Sequence, residues 1–246
     1  MILAVINAIL LASMAILPQF LQTMMGYDAF TSGLSMMPRG VGCIVAMILY
    51  TKLVGKVDLK ILVAAGLILL SIGSWQLGFI NLEVSMMSVV VPNFLYGMGM
   101  ILGMIPVISL SCITVKNADL NNASSVQNLI KTVGGSIGTS LVITLVSRYA
   151  QVHQYMMVGH LNYDNNVFIE KIKLLTVFFS QNADTTTAMI KAHAVMYKQL
   201  LVQSYLWAYI DTFRFYAVAG VVIIPLLIFM KSKSDNSNCK PPTGMH

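Results

Sequence analysis

Four charged side chains stand in stretches of this sequence that are otherwise apolar, and charges in such places do chemistry of a restricted kind. Arg39 lies in Met36-Met37-Pro38-Arg39-Gly40, Lys131 one turn from Gln127 and Asn128, and Asp211 three residues before Arg214. Asn7, Gln19, Gln22 and Asn93 add neutral amides to similar surroundings. A charge among hydrocarbon is costly, so it usually faces a wet cavity, an opposite charge or a passing solute. The chemistry on offer is therefore binding and charge pairing rather than bond making. No activated nucleophile, carboxylate pair or metal cluster stands among the loops, and an enzyme is not expected. His153, His160, His193 and His246 are too scattered for a paired-histidine site, so no metal is assigned.

Depth decides how each group reads. Arg39 sits eight residues inside its apolar stretch, roughly 12 Å along a helix axis at about 1.5 Å per residue. It is either an anchor whose guanidinium snorkels outward or a cavity charge that meets substrate or a carboxylate. Lys131, with Gln127 and Asn128 one turn away, forms a partly continuous polar patch, and cavity lining is favoured over snorkelling. Asp211 and Arg214, at i and i+3, can neutralise each other as a structural pair. Asn93 and the other amides suit interhelical hydrogen bonds, and together they make a polar route. Gly99 with Gly103, and Gly134 with Gly138, fall four apart on one helix face and let backbones approach closely. Gly97, Gly135, Pro92 and Pro106 nearby make the fourth and fifth helices ones that can flex or slide.

The elements that hold these groups are helices crossing a membrane. Of 246 residues, 57% are hydrophobic and 10% charged, and a bilayer core needs about 20 apolar residues per helix. The stretch Ile61 to Leu70 is continuously apolar, whereas a β-barrel would alternate. Six spans follow: Met1 to Met25, Thr31 to Thr51, Ile61 to Ile80, Val84 to Val115, Ala123 to Val146 and Tyr205 to Met230. The fold class is an all-α membrane protein of six transmembrane helices with a long outer loop.

Lysines give the orientation. Lys52, Lys56 and Lys60 share one short connection, Lys116 stands in another, and Lys231 and Lys233 follow the last span. Gly26 to Phe30 and Asn81 to Glu83 have none. Short basic loops stay in the cytoplasm, so both ends are expected there and the segment from Ser147 to Ser204 outside. The formal net charge of +6 is accounted for by these loop lysines, and no nucleic-acid surface is expected. Cys43 and Cys112 fall inside spans and Cys239 in the tail, so no disulfide is expected.

The organisation is then five helices over residues 1–146, an outer segment over 147–204, the sixth helix over 205–230 and a cytoplasmic tail over 231–246. In the outer segment Asp184 can cap a helix from Thr185, where Met189, Ala192, Val195, Met196 and Leu200 recur at helical spacing. That helix can lie on the bilayer, pack over the bundle or contact a partner, and ordinary packing is the simplest use.

The local order of motifs permits a comparison with a known family. Leu17-Pro18-Gln19-Phe20-Leu21-Gln22, Gly26-Tyr27-Asp28-Ala29, Ser32-Gly33-Leu34 and Pro38-Arg39-Gly40-Val41-Gly42 follow one another in the first two spans. Pro92, Gly97, Gly99 and Pro106 come next, then Ala123-Ser124-Ser125, Asn128, Lys131 and Gly134-Gly135-Ser136-Ile137-Gly138-Thr139-Ser140. The chain resembles the carboxy-terminal half of EmrB/QacA-type drug:proton antiporters of the major facilitator superfamily. Lys131 stands where these transporters usually carry arginine, which keeps the charge but loses the planar fork. Lys52 to Lys60, with Gly55 and Asp58, resembles a degenerate copy of the superfamily's cytoplasmic loop.

The resemblance implies more than the residues do. The first, second, fourth and fifth helices would face a central cavity, with Arg39, Asn93, Asn128 and Lys131 as its lining, and Asp211 with Arg214 would be peripheral. Export of amphipathic or lipophilic compounds from a bacterial inner membrane would be driven by the proton gradient, with no other cofactor. The partners implied are the absent amino-terminal half, which would carry the proton-binding group, membrane lipid, and a periplasmic adaptor with an outer-membrane channel. The alternatives are a six-helix half that pairs with itself as a small exporter or channel, and a non-functional truncated gene product.

Overall fold

A computed structural model describes residues 2–80, 86–112, 119–159, 161, 166–181 and 184–225. These residues form seven helices, α1 (Ile2–Thr23), α2 (Ala29–Leu53), α3 (Leu59–Leu77), α4 (Met86–Cys112), α5 (Leu120–Val158), α6 (Asn166–Ser180) and α7 (Thr185–Ile223). All but α6 are long and apolar enough to cross a membrane. The expectations placed on Asn81 to Glu83, Lys116, His160, Lys231, Lys233, Cys239 and His246 lie outside the described residues, as does the side chain of Cys112.

Local chemistry sets the helix boundaries. Gly26 and Gly55 hold φ of 69° and 86°, the left-handed region that glycine enters without a Cβ penalty. They turn the chain between α1 and α2 and between α2 and α3. Asp28 then caps α2 by accepting from the Thr31 N–H, and Asp58 caps α3 by accepting from the Lys60 N–H, each satisfying a donor that the first turn leaves orphaned. Hydrogen bonding from Thr31 holds the Asp28 carboxyl below its usual value.

The chain forms two compact units. The first contains residues 1–143 and 212–246, the second residues 144–211. In the first unit α4 packs against α1, α2 and α3, and glycine makes the approach close. A Cβ on Gly97 would collide with the Arg39 carbonyl oxygen of α2, and one on Gly66 of α3 would collide with the Gly103 backbone of α4. Gly99 likewise faces the Gly66 carbonyl. Gly134 and Gly138 of α5 lie against Ala4 and Ala8 of α1, and Gly220 of α7 against Ser71 of α3. Such small-residue seams allow dispersion contact where lipid supplies no hydrophobic force between helices. On α2, Phe30, Leu34, Met37, Val41, Ile44 and Ile48 are exposed along one stripe. A face so apolar needs a nonaqueous neighbour.

In the second unit the expected outer loop is helical for most of its described length. Ser147 to Val158 contains no glycine or proline, so α5 continues until Gly159. The helix expected from Thr185 does begin there, but it runs unbroken into the sixth span because no glycine or proline occurs before Gly220. Helix α6 had no counterpart in the sequence reading. It buries Phe168 and Ile172 with Met196 of α7, and Leu161 and Leu175 pack on that cluster.

Candidate functional site

The polar interior of the first unit is built on the α2–α4 seam. Asn93, fully buried, donates its Nδ2 to the Ser35 carbonyl across the seam at 3.2 Å and to the Val89 carbonyl of its own helix at 3.0 Å. One turn beyond Ser35 is Arg39, only 5% exposed. Its guanidinium carbon lies 5.0 Å from the centroid of the Tyr96 ring. Asn93 and Tyr96 are three residues apart and so share a face of α4.

The tyrosine platform is fixed from α3. Ser74 Oγ donates to the Leu70 carbonyl at 2.8 Å and lies 2.6 Å from the Tyr96 hydroxyl. A serine hydroxyl has one proton; with that proton on Leu70, Tyr96 must donate to Ser74. Both hydroxyl protons are thereby committed. Gly73 brings its backbone against the Tyr96 ring edge, which completes the support.

Arg39 is not satisfied in the same way. Its Nε, Nη1 and Nη2 have no hydrogen-bond partner among the described residues, and neither has Asn93 Oδ1 or the buried Tyr216 hydroxyl. The ring of Tyr96 meets the guanidinium through its π face, an attraction of about 2 kcal/mol when desolvated. The five N–H donors are left without a hydrogen-bond acceptor among the described residues.

The other expected lining residues stand elsewhere in this unit. The Lys131 carbonyl on α5 accepts from Asn7 Nδ2 of α1, and its side chain is half-buried; Asn128 is exposed. Gln127, buried, donates to Ser111 Oγ of α4 at 2.6 Å. Arg39 and Asn93 are thus brought to one seam, whereas Lys131 belongs to the α1–α5 side and Asn128 is an exposed residue of α5. Arg214 places its guanidinium carbon 5.7 Å from the Phe79 ring centroid, with its stem against Gly78.

Asp211, in the second unit, bonds His153 Nε2 through Oδ2 at 2.7 Å. His153 also lies 6.2 Å from the Trp207 ring, and Gln154 donates to the Tyr197 hydroxyl at 3.2 Å. From the sequence His153 was named only among histidines too scattered for a metal site, and Tyr96 was not named. Tyr96 had a signal, being three residues from Asn93 in a helix; His153 is 58 residues from Asp211, and no local pattern joins them.

Six helices long and apolar enough to cross a membrane, among the described residues, define a multi-pass membrane protein. No protein-family model matches the chain. Among curated proteins it is similar to the probable multidrug resistance protein EmrY of Escherichia coli (strain K12), 24% identical over 89% of this chain and 42% of EmrY. It is 24% identical to the colistin resistance protein EmrB of Acinetobacter baumannii over 87% of this chain and 41% of that protein. The fatty acid resistance protein FarB of Neisseria gonorrhoeae is 25% identical over 61% of this chain and 30% of FarB. The chain is thus similar to EmrB-type multidrug transporters, and it spans less than half the length of the curated relatives it matches.

Proposed function

We propose that the chain serves as one half-bundle of a multidrug efflux antiporter, moving amphipathic or lipophilic compounds out across the bacterial cytoplasmic membrane. The observation that carries this reading is the similarity to EmrY along nearly the whole chain, joined to six helices of membrane-crossing length. Rocking-bundle transport needs two halves around a shared site, so the partner implied is an amino-terminal bundle. Arg39, Asn93, Asn128 and Lys131 are the residues of this half offered to the substrate route. Proton entry drives the cycle by biasing one conformation over the other, and the proton-accepting carboxylate belongs to the partner bundle. The lysines of Lys52 to Lys60 keep that connection in the cytoplasm, with the chain ends on the same side and residues 147–204 outside. There the outer segment meets a periplasmic adaptor that continues the path to an outer-membrane channel.

The test is export in cells stripped of their main efflux systems. Expressed with the amino-terminal half of EmrY, the chain should lower accumulation of a lipophilic dye, and a protonophore should abolish the effect. Correct insertion with no change in accumulation would overturn the proposal. Cysteines placed in residues 147–204 should react with an impermeant maleimide from outside intact cells.

A further inference from the structure

The unused donors of Arg39 call for an anion, and the described residues of the first unit place none on the helices packed around it. That unit's described acids are Asp28, Asp58 and Asp119, each at a helix beginning and none within α1, α2, α3 or α4. Asp28 stands eleven residues from Arg39, roughly 16 Å along the axis of α2 at 1.5 Å per residue, and is committed to capping. Asp211 belongs to the second unit and holds His153.

We propose that the N–H edge of Arg39 is a receptor for one carboxylate, presented by an amphipathic molecule or by a protein side chain. The chemistry selects that group on three grounds. The Tyr96 hydroxyl is committed to Ser74 and Nε, Nη1 and Nη2 of Arg39 have no acceptor among the described residues, which leaves a planar fork whose two parallel N–H groups match the two oxygens of a carboxylate. A single positive charge in apolar surroundings balances one negative charge, and a phosphate monoester would bring close to two. The Ser74–Tyr96 hydrogen bond fixes the platform from α3, so the fork is oriented before anything binds. In taking the carboxylate as cargo, this inference rests on the transport reading; the site itself does not.

Binding, measured without transport, separates the two. The full chain in phosphatidylcholine nanodiscs is dialysed against radiolabelled dodecanoate, and retention above that of empty discs is compared with dodecanol. Saturable dodecanoate retention that weakens at least tenfold in Arg39→Met, and less in Arg39→Lys, with dodecanol unchanged, supports a carboxylate brought by a small molecule. Absent retention, together with a melting temperature lowered by Arg39→Met and non-additively by one of Asp28→Asn, Asp58→Asn, Glu83→Gln, Asp119→Asn or Asp211→Asn, supports a carboxylate from the chain. Dodecanoate retention equal in the parent and in Arg39→Met, or no retention with no coupled acid, overturns the proposal. Size-exclusion profiles matching the parent establish that each variant is folded. Failed dye export beside Arg39-dependent dodecanoate binding would remove the transport reading and leave the site.

Discussion

Two charged places in this chain solve opposite problems. In the second unit His153 and Asp211 meet at 2.7 Å and keep 23% and 32% of their side chains exposed, so each has a partner and some water. In the first unit Arg39 is 5% exposed with every guanidinium nitrogen unbonded among the described residues. The frameworks differ too. Side chains join the helices around His153, whereas backbone contacts at glycine hold the helices around Arg39. A matched pair stabilises the state in which it is seen. A lone buried charge destabilises that state and leaves free energy to be gained when an anion arrives.

The largest effect should come from breaking the framework of the first place. In Gly97→Leu the new side chain meets the Arg39 backbone, and in Gly66→Leu it meets the Gly103 backbone; neither obstacle can rotate away. Ordinary overpacking costs about 1–3 kcal/mol, and a backbone obstacle should exceed that. Both variants should yield little monodisperse protein in detergent. Normal yield with an unchanged melting temperature would show that the α2–α4 and α3–α4 seams have room for a side chain at these positions.

Next is a contrast of sign. Arg39→Met keeps an unbranched side chain and deletes the unpaired charge, so in carboxylate-free nanodiscs it should stabilise the fold by about 1–4 kcal/mol, the range seen when buried ionic groups give way to apolar ones. Asp211→Asn or His153→Ala should destabilise, by about 1 kcal/mol for a partly exposed pair. Thermal melts of the three variants under one condition test the comparison directly. Loss of stability in Arg39→Met would mean that Arg39 already has a counter-charge.

The sequence made the membrane helices legible because their signal is length and continuous hydropathy, which survive any packing. Arg39 and Asn93 stood out for the same reason, as polar residues in apolar runs. The platform under Arg39 did not, because its parts come from α3 and α4 and only the crossing of those helices joins Ser74 to Tyr96. The outer segment was read as a loop since polar residues return after Ser147. Polarity ends a membrane span without ending a helix; glycine and proline do that more reliably, and Ser147 to Val158 has neither. Asp211 and Arg214 were joined by spacing alone, and spacing carries no signal for His153, whose position depends on how α5 and α7 lie within the second unit.

The smallest effect concerns Asp28, and it sharpens the claim about Arg39 by elimination. Asp28 is the sole acid in the turn that leads into the helix bearing Arg39, so it is the nearest rival for the missing counter-charge along that helix. Its carboxylate accepts from Thr31 and is held below the usual carboxylate value by that bond, and an anion is also favoured at a helix N-terminus. A group with a lowered folded value stabilises the fold above its unfolded value, and the contribution fades as pH falls through the folded one. Asp28→Asn should therefore lower the melting temperature slightly at neutral pH and make no difference in strong acid. Dodecanoate retention should match the parent at neutral pH. A change in retention would tie Asp28 to the fork of Arg39, and the N-cap and the middle of α2 would then have to be treated as one electrostatic unit.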